Sequence, residues 1–279
     1  MTFTEKLETA VQSNNSSLCV GLDPNLDLLP KPLTRQDLPA TNIVAQFLKR
    51  VIDVTSEHCA AYKPNLGFFE ALGPEGWDVF AEILDYIPDD KIIIADAKRG
   101  DISSTAEHYA KAFFKQFDID SITLNPLMGF ETLGPFLEDA SKGIYVLSLT
   151  SNPGAKDILL QQLANGVTVS THIAKQLNNL QEGANTSIGM VVGATKAEKM
   201  KPVIEPFPEA PLLIPGVGKQ GGDIAKLGES LKKHQGIPLI NSSRSIIYAG
   251  GDAKDWYKEV AKSAENLSNR LSSITDRYV

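Results

Sequence analysis

The feature that most constrains the fold of this chain is a series of eight short apolar runs spread along its whole length. Most of the runs are rich in Ile, Val and Leu, and they lack regular polar alternation, which is typical of strands buried on both faces of a parallel sheet. The runs are Leu18–Leu22, Ala60–Lys63, Lys91–Ala95, Ser121–Leu124, Ile144–Leu149, Ile188–Val192, Leu212–Ile214 and Pro238–Ile240. We therefore predict eight buried strands.

Segments with the apolar spacing of helices separate these runs and follow the last one. They are Ile43–Val54, Asp78–Ile87, Thr105–Phe117, Phe130–Ala140, Val167–Leu180, Lys196–Ile204, Asp223–His234 and Lys254–Leu271. Ser103 and Ser104 are predicted to cap the helix that begins at Thr105, and Thr4–Gln12 predicts an extra helix over the barrel floor. Eight strands alternating with eight helices indicate an α/β fold, either a closed barrel or a doubly wound open sheet. The count of eight favours the closed barrel, the (β/α)8 TIM barrel.

The length and composition fit one such barrel. The chain has 279 residues, close to the ~250 residues of a typical (β/α)8 barrel. No low-complexity tract or linker interrupts it, so residues 1–279 are predicted to form a single domain. Hydrophobic residues make up 42% and charged residues 22% of the chain, which provides a folded core and excludes a disordered chain.

The net charge of the chain limits the kinds of binding partner, and its N-terminal sequence bears on where in the cell the protein lies. A net charge of −7 at pH 7 argues against nucleic acid or an anionic membrane as the main partner. The N-terminal residues lack the apolar stretch of a signal peptide, and no run reaches the ~18–20 apolar residues that cross a bilayer. We therefore expect a soluble cytoplasmic protein. Cys19 and Cys59 lack metal-ligand spacing and are predicted to be buried core residues without a disulfide.

A charged segment, Asp96–Asp101 with the sequence D-A-K-R-G-D, directly follows the third apolar run. Active sites of α/β barrels lie where the strands end. Asp96 and Lys98 are two residues apart in a predicted extended segment, so their side chains should point to the same face. Because such a row of charges is costly to desolvate, it favours charge chemistry such as stabilising and protonating a carbanion. A solvated loop with ordinary ion pairs is the alternative interpretation.

Other predicted strand ends also carry polar groups. Asp23 follows the first run, Lys63 ends the second, and Asn125 follows the fourth. Two connections are unusually long, Asp23–Leu38 and Ser151–Gly166. Long loops at the carboxyl ends of barrel strands shape or cover active sites, so these strand ends should surround the charged segment.

A glycine-rich turn follows the seventh predicted strand. Gly216, Gly218 and Gly221 match the dinucleotide spacing G-x-G-x-x-G, but too little chain follows for a nucleotide-binding half, and the acidic ribose ligand is missing. The turn more simply supplies exposed N–H groups which, with Ser243 and Arg244 after the eighth strand, favour a phosphate site. A plain turn beside a surface arginine is the alternative.

With these residues in view, the chain resembles the orotidine 5′-phosphate decarboxylases, in their longer bacterial subgroup, from Leu18 to about Gly250. The family signature D-x-K-x-x-D reads Asp96, Lys98 and Asp101, and the resemblance implies that all three are catalytic residues. It implies decarboxylation of orotidine 5′-monophosphate to uridine 5′-monophosphate, the last step of de novo pyrimidine biosynthesis, without a metal or other cofactor. It further implies that Lys98 protonates C6 of the pyrimidine and that Asp96 faces the substrate carboxylate.

The same resemblance implies roles for residues outside the signature. Asp101 and Thr105 are expected to reach into the site of the partner subunit in a homodimer with shared active sites. The expected substrate contacts are Asp23 and Lys63 to the ribose, Ser151 to the pyrimidine edge, Gln220 to base and phosphate, and Ser243 and Arg244 to the phosphate. Many relatives have glycine where this chain has Ser243, and the serine keeps the backbone N–H for the phosphate.

Two alternative functions share the barrel. The Mg²⁺-dependent keto-gulonate-phosphate decarboxylases and hexulose-phosphate synthases carry a glutamate at the end of the second strand, where Lys63 of this chain repels a metal ion. A non-catalytic phosphate-sugar binding barrel would have lost Lys98 or one of the two aspartates, and all three are present. Asn65 and Asn125 are further candidates for the site.

Overall fold

The computed structural model of the chain describes residues 1–194, 197–217 and 223–279. Eight strands follow one another in chain order around a closed barrel, and the pairs β1–β2, β2–β3, β4–β5, β5–β6 and β6–β7 are parallel. The strands are β1 (Leu18–Leu22), β2 (Ala61–Pro64), β3 (Ile92–Arg99), β4 (Ser121–Leu124), β5 (Gly143–Leu149), β6 (Ser187–Val192), β7 (Leu212–Pro215) and β8 (Pro238–Ser242). The predicted (β/α)8 barrel is therefore confirmed.

Helices alternate with the strands, and α1 precedes the first strand. The α-helices are α1 (Phe3–Asn14), α2 (Lys31–Thr34), α3 (Ala40–Thr55), α4 (Leu66–Glu70), α5 (Glu75–Tyr86), α6 (Ser103–Lys111), α7 (Val169–Gln181), α8 (Ala197–Ile204), α9 (Ile224–Ser230), α10 (Arg244–Ile247) and α11 (Trp256–Thr275). Short 3-10 helices lie at Leu26–Leu28, Ser56–His58, Pro126–Met128, Phe130–Phe136 and Pro153–Asp157, and a π-helical turn lies at Ala112–Gln116. Within the described ranges, no helix has both the length and the apolar character needed to span a lipid bilayer.

One predicted helix differs from the structure in type, and the third predicted strand is longer in the structure than in the sequence pattern. The predicted helix Phe130–Ala140 is a 3-10 helix, Phe130–Phe136, with Pro135 inside it, because proline removes a hydrogen bond and clashes with the preceding turn of an α-helix. Strand β3 continues to Arg99, beyond its predicted end at Ala95, since the carbonyl of Arg99 accepts the N–H of Asn125 at 2.8 Å. The charged residues Asp96 and Lys98 therefore lie within the strand and not after it.

The predicted cap of α6 is wrong. The helix begins at Ser103 itself, and the preceding residue, Ile102, makes no side-chain cap hydrogen bond. Ser103 has a φ of 48°, so its backbone is left-handed and lacks the extended conformation that a capping residue needs. The predicted start of α8, Lys196, lies outside the described residues.

The chain divides into two compact units. The first unit comprises Met1–Glu8 and Lys98–Ile240. In it, the ring of Phe3 covers the amino end of β5, where a Cβ atom on Gly143 would lie 2.6 Å from the ring. The start of the predicted N-terminal helix therefore closes the floor end of this strand.

The second unit comprises Thr9–Ala97 and Asn241–Val279. The ring of Phe47 on α3 lies 5.5 Å from that of Tyr248 and 5.2 Å from that of Trp256 on α11, which joins these helices through aromatic packing. Cys19 and Cys59 are buried and free, as predicted. Burial raises the pKa of Cys59 to about 12, so its thiol remains protonated.

Candidate active site

The ends of β2 and β3 hold a buried ion pair in the second unit. The Nζ atom of Lys63 lies 2.6 Å from Oδ2 of Asp96, and the two side chains are 5% and 10% exposed. Neighbouring strands bring them together, because Asn65, just after β2, forms a parallel bridge with Asp96. Taking two charges out of water is costly, so a pair of this kind at a strand end points to charge chemistry.

The surroundings of Lys63 keep it positively charged. Burial disfavours the ammonium, but the carboxylates of Asp96 and Asp23 outweigh this effect and raise the pKa of Lys63 above its ordinary value. Asp23 follows β1, whose residues Gly21 and Leu22 pair with Lys63 and Pro64. Its Oδ1 atom is buried and has no hydrogen-bond partner among the described residues. This oxygen is therefore suited to accept a hydrogen bond from a ligand hydroxyl.

The backbone around Asp23 is held by Tyr248, which the sequence analysis did not single out. The hydroxyl of Tyr248 donates to the carbonyl of Asp23 at 2.8 Å and accepts the N–H of Asn25 at 2.6 Å. Burial raises the pKa of Tyr248 to about 12, so the hydroxyl keeps its proton. A tyrosine soon after the eighth strand was the only signal in the sequence, and it does not reveal this contact.

Ser243 lies directly against the first strand. A Cβ atom on Gly21 would lie 1.8 Å from Oγ of Ser243, so glycine in β1 is what allows the serine to occupy this space. Arg244 begins α10 and is exposed. The structure thus brings the predicted phosphate residue Ser243 close to the end of β1, which carries Asp23. Gln220, the predicted residue between base and phosphate, lies outside the described residues.

The backbone at Lys98 departs from a regular strand. Lys98 has a φ of 47°, so the end of β3 is not regularly extended, and strand alternation does not by itself give the direction of the Lys98 side chain. The N–H of Lys98 donates to Oγ1 of Thr123 on β4 at 3.0 Å. A Cβ atom on Gly100 would lie 2.6 Å from the carbonyl oxygen of Asn125. The end of β3 is therefore held tightly against the end of β4 in the first unit.

Ser151 lies at the ends of β5 and β6. The N–H of Gly193 donates to the carbonyl of Leu149 at 2.7 Å, and a Cβ atom on Gly193 would lie 2.8 Å from the backbone nitrogen of Ser151. The glycine after β6 therefore allows Ser151, the first residue of the long loop after β5, to lie close to the backbone at the end of β6.

Asp101 and Thr105 lie on a surface with exposed apolar side chains. The carboxylate of Asp101 accepts the N–H of Ile102 at 2.8 Å, and Thr105 is exposed near the start of α6. Ile102 is 52% exposed, Leu127 72% and Met128 50%. Ile102 follows the end of β3, and Leu127 and Met128 follow the end of β4, so exposed apolar side chains lie after two adjacent strands. Exposed apolar side chains of this kind are typical of a contact with another protein.

The two candidate asparagines act as helix caps. The side-chain oxygen of Asn65 accepts the N–H of Gly67 at 3.3 Å, and that of Asn125 accepts the N–H of Leu127 at 3.0 Å. These contacts explain an asparagine at the end of β2 and of β4 without a ligand.

A barrel with buried lysine and carboxylate groups at its strand ends belongs to the class of α/β-barrel enzymes. Residues 16–259 match the model of the Orotidine 5'-phosphate decarboxylase / HUMPS family. The chain belongs to this family.

Relatives extend over nearly the whole chain. The orotidine 5′-phosphate decarboxylase of Herpetosiphon aurantiacus is 44% identical over 249 residues, which is 89% of this chain and 90% of the relative. A solved structure from Toxoplasma gondii superposes with a TM-score of 0.86 at 30% identity, covering 100% of this chain and 98% of that one. The solved OMP decarboxylase of Leishmania donovani gives a TM-score of 0.80 at 30% identity, covering 99% of both chains.

Proposed function

We propose that this chain decarboxylates orotidine 5′-monophosphate to uridine 5′-monophosphate, the last step of de novo pyrimidine biosynthesis. The observation that carries the proposal is the buried pair between Lys63 and Asp96, the first residue of the family signature. Its atoms are 2.6 Å apart, and it places a fixed carboxylate two residues from Lys98 in β3.

The chemistry needs no group beyond these side chains. Asp96 faces the substrate carboxylate. When the bond between this carboxylate and C6 breaks, neutral CO₂ leaves, and the electron pair and the negative charge remain on C6, farther from Asp96. The ammonium of Lys98 stabilises this developing carbanion and then gives it a proton, after which Lys98 regains one from water. Lys63 holds Asp96 in place through their ion pair, and the charge of the Lys63 ammonium is maintained by Asp96 and Asp23.

Substrate binding uses the surrounding strand ends. Asp23 offers its Oδ1 atom, which has no hydrogen-bond partner among the described residues, to a ribose hydroxyl. The base is read by Ser151, and the phosphate is held by Gln220, Ser243 and Arg244. The required barrier lowering lies near the top of the range of about 8–23 kcal/mol that enzymes achieve, so binding energy from the phosphate must contribute through closure of the long loops.

We also propose a homodimer in which Asp101 and Thr105 complete the partner's site. The exposed side chains of Ile102, Leu127 and Met128 support it, since apolar side chains of this exposure lose contact with water in a dimer. We propose that the enzyme is cytoplasmic, because its charged phosphate-ester substrate does not cross lipid bilayers. We also propose that residues 1–279 form a single barrel domain.

The buried lysine favours a metal-independent reaction over the Mg²⁺-dependent activities of the same family. Mg²⁺ prefers carboxylate ligands, and the end of β2 instead presents the ammonium of Lys63, which already neutralises Asp96. The carboxylate that Mg²⁺ would need at this strand end is therefore already paired with an ammonium.

The test is to treat the protein with EDTA, add orotidine 5′-monophosphate and follow the loss of its ultraviolet absorbance. We expect turnover without added metal. Lys98→Ala should remove turnover and still bind uridine 5′-monophosphate in a calorimetric titration. Substrate that is not consumed, or a Lys98→Ala variant that retains turnover, would overturn the proposal.

A further inference from the structure

We propose that Thr123 is a positioning residue whose hydroxyl sets the conformation of the backbone that carries Lys98. This inference rests on the proposed function, in which Lys98 is the proton donor. Thr123 is the third residue of β4 and is 1% exposed. Its Oγ1 atom accepts the N–H of Lys98 at 3.0 Å.

The hydroxyl of Thr123 accepts a backbone N–H of the neighbouring strand, as a backbone carbonyl does in a regular sheet. A φ of 47° places Lys98 in the left-handed region, which a residue other than glycine adopts only where its surroundings enforce it. The next residue, Arg99, returns to backbone pairing through Asn125, at 2.8 Å. The one irregular residue at the end of β3 is thus bonded through its N–H to a side chain of the neighbouring strand.

The conformation at Lys98 decides where its ammonium group lies. A change from left-handed to extended φ would turn the Cα–Cβ bond toward a different side of the strand. Proton transfer to C6 requires heavy atoms within about 3 Å of each other, and a displacement of about 1 Å at a reacting group lowers rates by roughly a hundredfold. Thr123 therefore acts on the reaction through Lys98 and without contacting the substrate.

The chain offers a matched control on the same strand. Ser121 is two residues before Thr123, so both side chains point to the same face of β4. The Oγ atom of Ser121 is buried and has no hydrogen-bond partner among the described residues. Ser121→Ala removes a hydroxyl from the same face and leaves the bond to Lys98 intact.

The experiment compares three variants with the original enzyme. For each we measure kcat and KM for orotidine 5′-monophosphate, Kd for uridine 5′-monophosphate and the melting temperature. Thr123→Val keeps the shape of the side chain and removes the acceptor. We expect it to lower kcat by roughly 10- to 100-fold, with KM and Kd within about threefold of the original enzyme. Thr123→Ser, which keeps the oxygen, should restore kcat to within about threefold, and Ser121→Ala should behave like the original enzyme. If Thr123→Val does not fold, Thr123→Cys, with its weak sulfur acceptor, replaces it.

Several results would overturn the inference. They are a kcat of Thr123→Val within twofold of the original, an equal loss in Ser121→Ala, no rescue by Thr123→Ser, and a parallel loss of kcat and nucleotide affinity that marks a merely structural role. If Lys98→Ala retains turnover, the proposed function itself fails. If Lys98→Ala is inactive while Thr123→Val is fully active, the proposed function stands and only the role of Thr123 is wrong.

Discussion

The ammonium of Lys63 lies 2.6 Å from the carboxylate of Asp96, and both side chains are almost fully buried at the ends of adjacent strands. The attraction between the two charges offsets the cost of removing them from water. Removal of either side chain would leave the other charge buried without compensation. The pair therefore couples the stability of the barrel to the charge on Asp96, the residue proposed to face the substrate carboxylate.

Removal of Lys63 should be costly. Lys63→Ala leaves the carboxylate of Asp96 buried without its cation, and we expect a loss of roughly 3–5 kcal/mol in the free energy of unfolding. Urea denaturation measures this loss. The double variant Lys63→Ala/Asp96→Ala should recover part of it, since no unpaired charge remains.

The control for this prediction is a pair at the surface. Lys49 lies 2.7 Å from Glu82, but the two side chains are 33% and 49% exposed, so Lys49→Ala should cost at most about 1 kcal/mol. Equal losses in Lys49→Ala and Lys63→Ala would contradict the view that burial gives the Lys63 pair its importance.

The barrel was predictable because the apolar composition of the runs indicates that the strands are buried. Runs of Ile, Val and Leu predicted the bounds of β1 and β4 as the structure has them, since strands covered on both faces tolerate few polar residues. The end of β3 was missed for the same reason. The last residues of β3 are charged, and they stay in the strand because the carbonyl of Arg99 pairs with the N–H of Asn125, just after β4.

The contacts of the site were less predictable than its residues. Asp96 and Lys63 were each identified from strand ends, but their contact depends on the register between β2 and β3, which no local pattern contains. The left-handed backbone of Lys98 depends in the same way on Thr123, which lies 25 residues away along the chain. Residue identity is local information, whereas these contacts arise only when strands pair.

The hydroxyl of Tyr248 should matter for substrate binding. Tyr248→Phe keeps the ring stacked on Phe47 but releases the carbonyl of Asp23 and the N–H of Asn25. We expect KM for orotidine 5′-monophosphate to rise by roughly three- to tenfold and the free energy of unfolding to fall by about 1–2 kcal/mol. Steady-state kinetics and urea denaturation test both values.

Tyr86→Phe is the matched control for this variant. Tyr86 is 40% exposed, and its hydroxyl donates to Asp53 at 2.7 Å, so its loss should change neither KM nor stability by a measurable amount. An unchanged KM in Tyr248→Phe would show that the backbone at Asp23 does not depend on Tyr248.

Acid should weaken one carboxylate contact in a predictable direction. Hydrogen bonds from Lys115, at 2.8 Å, and from the hydroxyl of Ser141, at 2.6 Å, hold the pKa of Asp139 well below its usual value. A carboxyl group whose pKa is lowered by folding stabilises the fold above its unfolded pKa, and the stabilisation is lost as the pH falls through the folded pKa. Asp139→Asn should therefore cost about 1 kcal/mol at pH 7, and this cost should shrink below about pH 4.

Urea denaturation of Asp139→Asn and the original protein between pH 3 and pH 7 measures this dependence. Glu205→Gln is the control, because its pair with Lys201 spans 3.7 Å on the surface with both side chains more than half exposed. It should change stability little at any pH. A cost of Asp139→Asn that is constant across the range would contradict the assigned pKa direction.

The shared site of the proposed homodimer can be tested by mixing inactive subunits. If Asp101 serves the partner's site while Lys98 serves its own, a heterodimer of Lys98→Ala and Asp101→Ala subunits contains one intact site and one with both defects. Random reassociation of equal amounts should restore roughly a quarter of the original activity, because half the dimers are mixed and each has one of two sites intact. Mixing Lys98→Ala with Asp96→Ala should restore nothing, since these two residues belong to the same strand and serve the same site. Absence of recovery in the first mixture, with subunit exchange verified by mass spectrometry, would mean that Asp101 acts within its own subunit.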